Sequence, residues 1–151
     1  MPTLAKSPSA YHDYEILEKL EAGLVLSGAE VRSVKLGQMN LRGSYIVISR
    51  TGQAQLIGCH IAAYRPASSH QSNYQPDRSR TLLLKKSEII RLGTQVQNSG
   101  LTILPLSVYT KGNLIKLEIG LGRGKKKHDK RESIKKREIQ KEINRRLRAK
   151  G

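Results

Sequence analysis

The stretch that decides the fold is YIVISRTGQAQLIGC, residues 45–59. Its two ends, residues 45–49 and 55–59, are mostly apolar, and the first is rich in the β-branched and aromatic side chains that favour strands. Between them, residues 50–53 contain a glycine, which is typical of a tight turn. The stretch therefore predicts an antiparallel hairpin, and the segments on either side must supply its partners.

On the N-terminal side, a short helix is predicted over residues 28–36. Ser27 is its expected N-cap, Glu30 lies at the capping-box position, and Gly37 provides a stop. The segment before it, residues 14–26, is ambiguous. Its first apolar residues are spaced as in a helix, whereas its later glycine and apolar run favour an extended segment.

On the C-terminal side, a strand is predicted over residues 82–86, and Ser87 is expected to cap a second helix that ends at Gly100. Residues 101–109 and 113–119 then pair as a second hairpin across a glycine-containing turn. About six strands with two short helices predict a mainly β fold. A small closed barrel is the natural solution, and an OB-fold-like barrel is the first candidate.

Composition divides the chain into three regions. Residues 1–10, with their Pro, Ser and Ala, predict a flexible leader; residues 11–120 form the barrel; residues 121–151 form a basic tail. Within the barrel, residues 64–80 lose all periodicity and predict a long basic loop. Alternate glycines from 120 to 124 predict a flexible exit from the barrel into the tail.

The charge is concentrated in the tail. The whole chain carries a formal net charge of +16, and residues 121–151 hold 14 of the 28 Lys and Arg residues against four acids. A negatively charged partner of high charge density is the simplest reason to keep such a segment, and nucleic acid is the first candidate. A membrane surface is disfavoured, because the tail has three apolar residues on its best face and no aromatic residue. A solvated charge run is the remaining alternative.

A helical stripe runs through the second half of the tail, since Ile139, Ile143 and Leu147 recur every four residues. Basic residues fall within or beside that stripe, so it is too narrow to hold the helix firmly on the barrel. We therefore expect a tail that is disordered in the free protein and folds as a helix against a partner.

Several functional classes are disfavoured by composition. The single cysteine, Cys59, excludes an internal disulfide and a cysteine-based zinc site and fits a reducing cytosol. No apolar run approaches the roughly 20 residues of a membrane span, and residues 1–10 lack the apolar core of a secretory signal. A nuclease could be imagined from His70 with Asp77 or from His128 with Asp129, but no triad or metal-ligand spacing appears. We expect no enzyme activity, no metal and no cofactor.

Tyrosines beside arginines are candidates for stacking on unpaired bases. Tyr74 lies in the basic loop with Arg78 and Arg80, as does Tyr64, and Tyr109 precedes Lys111 at the second hairpin. The alternative is that each ring packs on the barrel and its hydroxyl finds a hydrogen bond. Both remain open for the two loop tyrosines, whereas packing is favoured for the strand residue at position 45.

Four stretches carry recognisable motifs: residues 21–33, 40–45 (NLRGSY), 76–84 (PDRSRTLLL) and 124–132 (GKKKHDKRE). In this order they resemble the SmpB family (small protein B), and the resemblance runs from about residue 11 to the C-terminus. It implies an OB-fold barrel that binds the tRNA-like domain of transfer-messenger RNA, at the elbow where its D and T arms meet.

The resemblance also implies a role on the ribosome. Family members enter the vacant A site of stalled ribosomes with that RNA, where the barrel stands in for the missing anticodon arm and the tail probes the empty messenger channel. Elongation factor Tu and alanyl-tRNA synthetase are implied as indirect partners. A cytoplasmic monomer that makes no membrane contact is expected.

Site residues follow by position. Glu21 and Leu83 match family residues tied to RNA binding, and His12 belongs to the N-terminal His-Asp/Glu-Tyr signature. Leu83 could instead be core. Arg78, Arg80, Tyr74 and Lys111 are added as RNA contacts. Matches to the ribosome-engaging tail of the family are Gly124, Lys125, Lys126, Lys127, His128, Asp129, Lys130, Arg131 and Leu147.

The sequence departs from the family pattern in places. An Asn and basic residues usually precede the N-terminal signature, whereas residues 7–11 read SPSAY; Thr81 and Gly43 also differ from the usual residues. We expect these changes to lower the affinity for the RNA without altering the resemblance to the family. The main rival interpretation is a basic structural ribosomal protein with an OB-like barrel.

Overall fold

The structure is a computed structural model that describes residues 2–65, 73–125 and 139–145. Its strands and helices have the following bounds: β1 Thr3–Lys6, α1 Ala10–Asp13, β2 Tyr14–Leu24, α2 Gly28–Lys35, β3 Met39–Asn40, β4 Tyr45–Ile48, β5 Ala54–Ile57, β6 His60–Ile61, β7 Arg80–Leu83, α3 Lys86–Ser99, β8 Thr102–Lys111 and β9 Leu114–Gly124. Residues 139–145 are also helical.

Six antiparallel strands close into a ring in the order β8-β4-β5-β7-β2-β9, and β9 pairs back with β8. The ring confirms the predicted mainly β closed barrel. Two long strands dominate it: β2 and β9 pair from Tyr14–Gly124 to Gly23–Lys116, and β9 also pairs with β8 along most of its length. Closing the sheet leaves few unpaired edges.

Aliphatic side chains fill the barrel. Leu56, Ile61, Leu117 and Ile119 are fully buried, and Leu92 of α3 joins the same cluster. Burying a side chain of this size stabilises the fold by roughly 1.5–3 kcal/mol. The core therefore rests on Leu, Ile and Val packing, in a chain that has neither Phe nor Trp.

Local sequence signals set the helix ends. Ser27 accepts a hydrogen bond from the Glu30 N–H at 3.1 Å, and the Ser27 N–H donates to the Glu30 carboxylate at 3.0 Å, so the predicted capping box of α2 is confirmed. Gly100 ends α3 with a left-handed φ of 63°. The predicted start of α3 is wrong, because Lys85 is the N-cap and Ser87 lies inside the helix.

Strand bounds differ from the prediction in several places. The ambiguous segment before α2 is a strand from Tyr14 onward, and β7 begins at Arg80, inside the predicted loop. Residues 3–6 of the predicted leader form β1, which pairs with β8. Tyr45, expected to pack on the barrel, is 45% exposed.

The predicted flexible exit is part of β9. Gly120 and Gly122 are buried in the strand, opposite residues of both β2 and β8. A Cβ at Gly120 would lie 3.0 Å from Leu106 Cδ1 and 3.2 Å from Ile16 Cγ2. These glycines therefore allow close packing of side chains against the β9 backbone, rather than a flexible joint.

Among the described residues, no helix combines the length and the apolar character needed to cross a membrane.

Candidate RNA-binding surface

Glu21 lies exposed on the outer face of β2 and is held by two side chains of β8. The Tyr109 hydroxyl donates to Glu21 Oε2, and the Lys111 ammonium lies 3.4 Å from Oε1. The Tyr109 hydrogen bond lowers the pKa of the Glu21 carboxyl; slight burial opposes this, and Lys111 and Lys116 add to the lowering. The carboxylate is therefore an anion with lone pairs left to accept further hydrogen bonds.

Strand register places an apolar and a basic residue beside this carboxylate. Gly23 of β2 pairs with Leu83 of β7 on one side and with Lys116 of β9 on the other, and Lys116 in turn pairs with Tyr109. In a strand, Glu21 and Gly23 project to the same face, because they are two residues apart. One row across four strands thus carries the leucine, the lysine and the tyrosine next to the glutamate.

A cleft of about 200 Å³ lies between β7 and the β8–β9 turn. Its lining includes Gly23, Leu83, Leu114 and Lys116. Leu83 is 61% exposed and Leu114 is 60% exposed. The question whether Leu83 is core is thereby answered by the structure: its side chain is on the surface. We call Glu21, Leu83, Tyr109, Lys111, Leu114 and Lys116 the β2–β9 patch.

The arginines of the basic loop serve a different purpose. Arg80 is fully buried, and its guanidinium donates to Glu30 Oε2 at 2.7 Å and to the Cys59 carbonyl at 2.7 Å. Arg78 is partly exposed and also binds the Glu30 carboxylate. The burial of Arg80 contradicts the expectation that it contacts RNA. Its positive charge is paired with the Glu30 carboxylate inside the protein.

Tyr74 belongs to the same buried network. Its hydroxyl donates to the Ile61 carbonyl at 2.8 Å and lies 3.2 Å from Glu30 Oε2, while Arg80 donates to the hydroxyl at 3.1 Å. Burial, together with the nearby Glu30 charge, raises the pKa of Tyr74 to about 12. These contacts favour the packing interpretation over the stacking one for this tyrosine.

Glu30 is the centre of the network. Burial alone would raise the pKa of its carboxyl, but hydrogen bonds from the Ser27 N–H, Arg78 and Arg80 outweigh that cost, and the pKa falls to about 2. The network ties the N-terminus of α2 to β7 and to the end of the loop at residues 73–79. It therefore supports the barrel wall next to Leu83.

A second surface forms where the chain leaves the barrel. His12 is exposed in α1. Because α1 precedes the first residue of β2, His12 lies at the opposite end of that strand from the β2–β9 patch. Lys125 follows Gly124 and is held there, because its N–H donates to the Asp13 carbonyl at 2.9 Å and its ammonium donates to the Tyr11 carbonyl at 3.3 Å. The start of the tail is thus attached to α1.

An exposed tyrosine and a lysine meet on this second surface. The Lys19 ammonium lies 5.3 Å from the centroid of the Tyr11 ring, and Tyr11 is 52% exposed. Lys19 comes from β2 rather than from the leader. It supplies a cation close to residues 7–11, where the resemblance described above would lead us to expect basic residues.

Most of the tail residues singled out by sequence lie outside the described residues: Lys126, Lys127, His128, Asp129, Lys130, Arg131 and Leu147. Residues 139–145 are helical, with Ile139 and Ile143 exposed, and the expectation that the tail is disordered until it meets a partner stays a prediction. His70 of the imagined nuclease pair also lies outside, and Asp77 instead contacts His60 Nδ1 at 2.8 Å.

A larger cavity, of about 630 Å³, lies elsewhere, between α3 and the β4–β5 turn. Arg50 is the one ionisable residue in its lining, and it shares no lining residue with the cleft beside Leu83. Across residues 2–65, 73–125 and 139–145, no three His, Cys, Asp or Glu side chains are grouped as metal ligands. The surface chemistry of the β2–β9 patch is therefore the better guide to function.

Comparison with known proteins identifies the family of this chain. A family model described as SmpB protein matches residues 4–149. The chain belongs to the SmpB family. An SsrA-binding protein from Carboxydothermus hydrogenoformans is 47% identical over 146 residues, which cover 97% of this chain and 96% of that protein. One from Microcystis aeruginosa is 50% identical over 134 residues, which cover 89% of this chain and 86% of its own length.

A solved structure shares the fold of this SmpB-family chain. It is described as "tmRNA-SmpB: a journey to the center of the bacterial ribosome", and its matching chain is 38% identical with a TM-score of 0.67. The match covers 85% of this chain and 92% of that one. Fold and family are thus shown together over nearly the whole length.

Sequence reasoning found part of the SmpB-family patch and missed the rest. Glu21, Leu83 and Lys111 were singled out, and the structure brings them together. Lys116 and Leu114 were missed, although both flank the predicted β8–β9 turn, where alternating exposed positions of a hairpin could have indicated them. The hydrogen bond from Tyr109 to Glu21 joins two residues that are 88 positions apart, so no local sequence pattern indicates it.

Proposed function

We propose that this chain is a protein partner of transfer-messenger RNA in trans-translation. It binds the tRNA-like domain of that RNA through the β2–β9 patch and accompanies it to the A site of stalled ribosomes. The observation that carries the proposal is the exposed carboxylate of Glu21 beside the exposed Leu83, on the barrel of an SmpB-family chain. The names of its relatives and of the matching solved structure support both partners.

The chemistry of the patch suits a folded RNA with unstacked bases. The Glu21 carboxylate would repel phosphates, but its remaining lone pairs are good acceptors for N–H groups at a base edge. Leu83 and Leu114 offer apolar contact to a base face, as unpaired bases of RNA loops require. Lys111 and Lys116 stand beside them to meet phosphates.

The barrel and the tail divide the work in this proposal. The barrel replaces the missing anticodon arm, and the tail, through its residues from Gly124 onward, engages the decoding centre and the messenger channel. Its 14 basic residues over positions 121–151 give it a strong attraction for ribosomal RNA. Elongation factor Tu and alanyl-tRNA synthetase act on the shared RNA, so their link to this chain is indirect. The chain acts by binding, as a cytoplasmic monomer, without making or breaking a covalent bond.

A gel shift that compares transfer-messenger RNA with ordinary tRNA across a salt series tests the proposal. We expect tighter binding of transfer-messenger RNA at every salt concentration, with log Kd rising with log salt by about 0.7–0.9 per neutralised phosphate. Equal affinity for both RNAs across the whole series would contradict the proposal. It would point instead to non-specific attraction by the tail.

Two matched pairs of variants locate the site. Leu83→Ala should weaken binding several-fold, whereas Leu36→Ala, at an exposed leucine after α2, should not. Glu21→Ala should also weaken binding. Glu15→Ala should not, because that β2 carboxylate lies outside the patch, 3.9 Å from Arg123. Unchanged affinity of both patch variants would mean that the RNA binds elsewhere.

Fractionation of growing cells separates this adaptor from a structural ribosomal protein. The adaptor should be scarce relative to ribosomes and should leave salt-washed subunits. Equal abundance in those subunits would overturn the adaptor proposal.

A further inference from the structure

Tyr109 of β8 reaches Glu21 of β2 across the intervening strand β9. Glu21 pairs with Glu118 of β9, and Tyr109 pairs with Lys116 of β9, so the tyrosine spans β9 diagonally to donate to Glu21 Oε2. Lys111, two residues further along β8, faces the other oxygen. Each carboxylate oxygen therefore has its own partner on β8.

This arrangement fixes the direction of the carboxylate. An unattached glutamate side chain at the surface has free rotamers, and freezing them on binding costs up to about 2 kcal/mol. A hydrogen bond from a hydroxyl to a carboxylate is among the stronger ones, because the acceptor is charged. A carboxylate already held in place binds an RNA donor without that loss of freedom.

The hydroxyl is also a permanent donor. Burial of the phenol, and then its hydrogen bond to the Glu21 anion, raise the pKa of Tyr109 far above physiological pH. The charged groups nearest the carboxylate are Lys111 on β8, Lys116 on β9 and its cross-strand partner Glu118 on β9, which also acts on the tyrosine. With a neutral Tyr109 and two lysines around it, Glu21 stays ionised and oriented.

We propose that Tyr109 is a positioning residue for RNA recognition: its hydroxyl holds the Glu21 carboxylate so that the remaining lone pairs meet N–H donors of an unstacked base. The inference rests on the function proposed above and assigns to Tyr109 an indirect role. It differs from the stacking role considered from sequence, because the ring is needed only to place the hydroxyl.

Tyr109→Phe tests the inference, since it keeps the ring and removes one atom. The RNA is the isolated tRNA-like domain of transfer-messenger RNA, and the protein is the full chain. We expect affinity to fall about three- to tenfold, as for loss of one hydrogen bond to a charged group. Tyr45→Phe, at a tyrosine on β4 outside the patch, is the control and should change affinity less than twofold.

A double-mutant cycle separates positioning from a general structural effect. In a Glu21→Ala background, Tyr109→Phe should have less than a twofold effect, because the side chain that the hydroxyl orients is gone. Equal effects of Tyr109→Phe in both backgrounds would overturn the inference. The stacking role predicts that equal effect, and it also predicts little loss in the Phe variant itself.

A carboxyl-carbon NMR titration gives a readout independent of RNA. The pKa of Glu21 should lie below its ordinary value in the unmodified chain and should rise toward it in Tyr109→Phe. A Glu21 pKa at or above the ordinary value in the unmodified chain overturns the inference, whatever the variant does. If the unmodified chain fails to bind the RNA at all, the proposed function fails. If it binds the RNA and Tyr109→Phe leaves the affinity unchanged, the positioning role alone fails.

Discussion

The buried Glu30 carboxylate gives a sharp prediction about stability and pH. Glu30→Gln keeps the size and shape of the side chain but removes its charge. Arg80, which is fully buried and donates to Glu30 at 2.7 Å and 3.1 Å, would then be left without its counter-ion. Removing one partner of a buried pair typically costs about 3–5 kcal/mol, because the other charge remains uncompensated.

The pKa of Glu30 gives the size and the pH window of the effect. The folded pKa is about 2, whereas the ordinary value is 4.5. The folded value is the lower one, so the stabilisation is fully present above pH 4.5 and is lost as the pH falls toward 2. At about 1.36 kcal/mol per pH unit, the gap corresponds to roughly 3 kcal/mol. Wild type should lose that much on acidification beyond what Glu30→Gln loses.

Urea denaturation at several pH values between 7 and 2 measures both quantities. At pH 7 the free energy of unfolding of Glu30→Gln should be at least about 3 kcal/mol below wild type, and the difference should shrink through the acid window. Glu18→Gln is the matched control, because Glu18 forms an exposed pair with Arg91 that is expected to contribute less than about 1 kcal/mol. A difference that is independent of pH, or no larger than that of the control, would refute the reasoning.

Three further predictions follow from packing, from the tail and from the single thiol. Gly120→Val should lower the free energy of unfolding, measured in urea, by about 1–3 kcal/mol, because the new side chain would collide with Leu106. Gly28→Ala, at a glycine with open space around it, should change that free energy by no more than about 0.5 kcal/mol. Equal losses in the two variants would contradict the packing argument. Deletion of residues 125–151 should leave most affinity for the tRNA-like RNA in a gel shift while abolishing tagging of stalled chains in a translation extract, and a large loss of affinity would disprove this division. Cys59 is buried, and burial raises its pKa to about 11, so it should react with a thiol reagent at pH 8 only as the protein unfolds; rapid labelling without urea would count against its burial.

Signals that act over a few residues were visible in the sequence. The capping box of α2 joins Ser27 and Glu30, three positions apart, and Gly100 takes the left-handed conformation that ends α3. Both signals depend only on the backbone geometry of residues that are close together in the sequence. The same Glu30 also pairs with Arg80, 50 positions away, and no local pattern shows that a basic loop residue points inward.

One undecided assignment and one error came from patterns with more than one physical meaning. Ile16 and Leu20 are four residues apart, and that spacing places side chains on one face in a helix and in a regular strand alike. The glycines of β9 suggested a flexible exit, because glycine permits many backbone conformations. Their actual role at Gly120 is to make room for Leu106 and Ile16, which depends on neighbours in other strands.

The candidate site shows the same limit. Leu83 was left undecided between core and surface, because LLL has no alternation to show which residue faces outward. The register of β7 against β2 decides it, since Leu83 lies over Gly23, which has no side chain to cover it. The sequence suggested some members of the patch and missed Leu114 and Lys116, and strand pairing determines which residues meet.

The pairing of β1 with β8 has a practical consequence for anyone purifying the protein. Thr3 lies opposite Tyr109, and the Thr110 N–H donates to the Pro2 carbonyl at 3.3 Å. An affinity handle fused ahead of Pro2 must therefore emerge within a residue or two of the tyrosine that orients Glu21. Histidine handles and their linkers belong elsewhere, or should be cleaved before any affinity is measured.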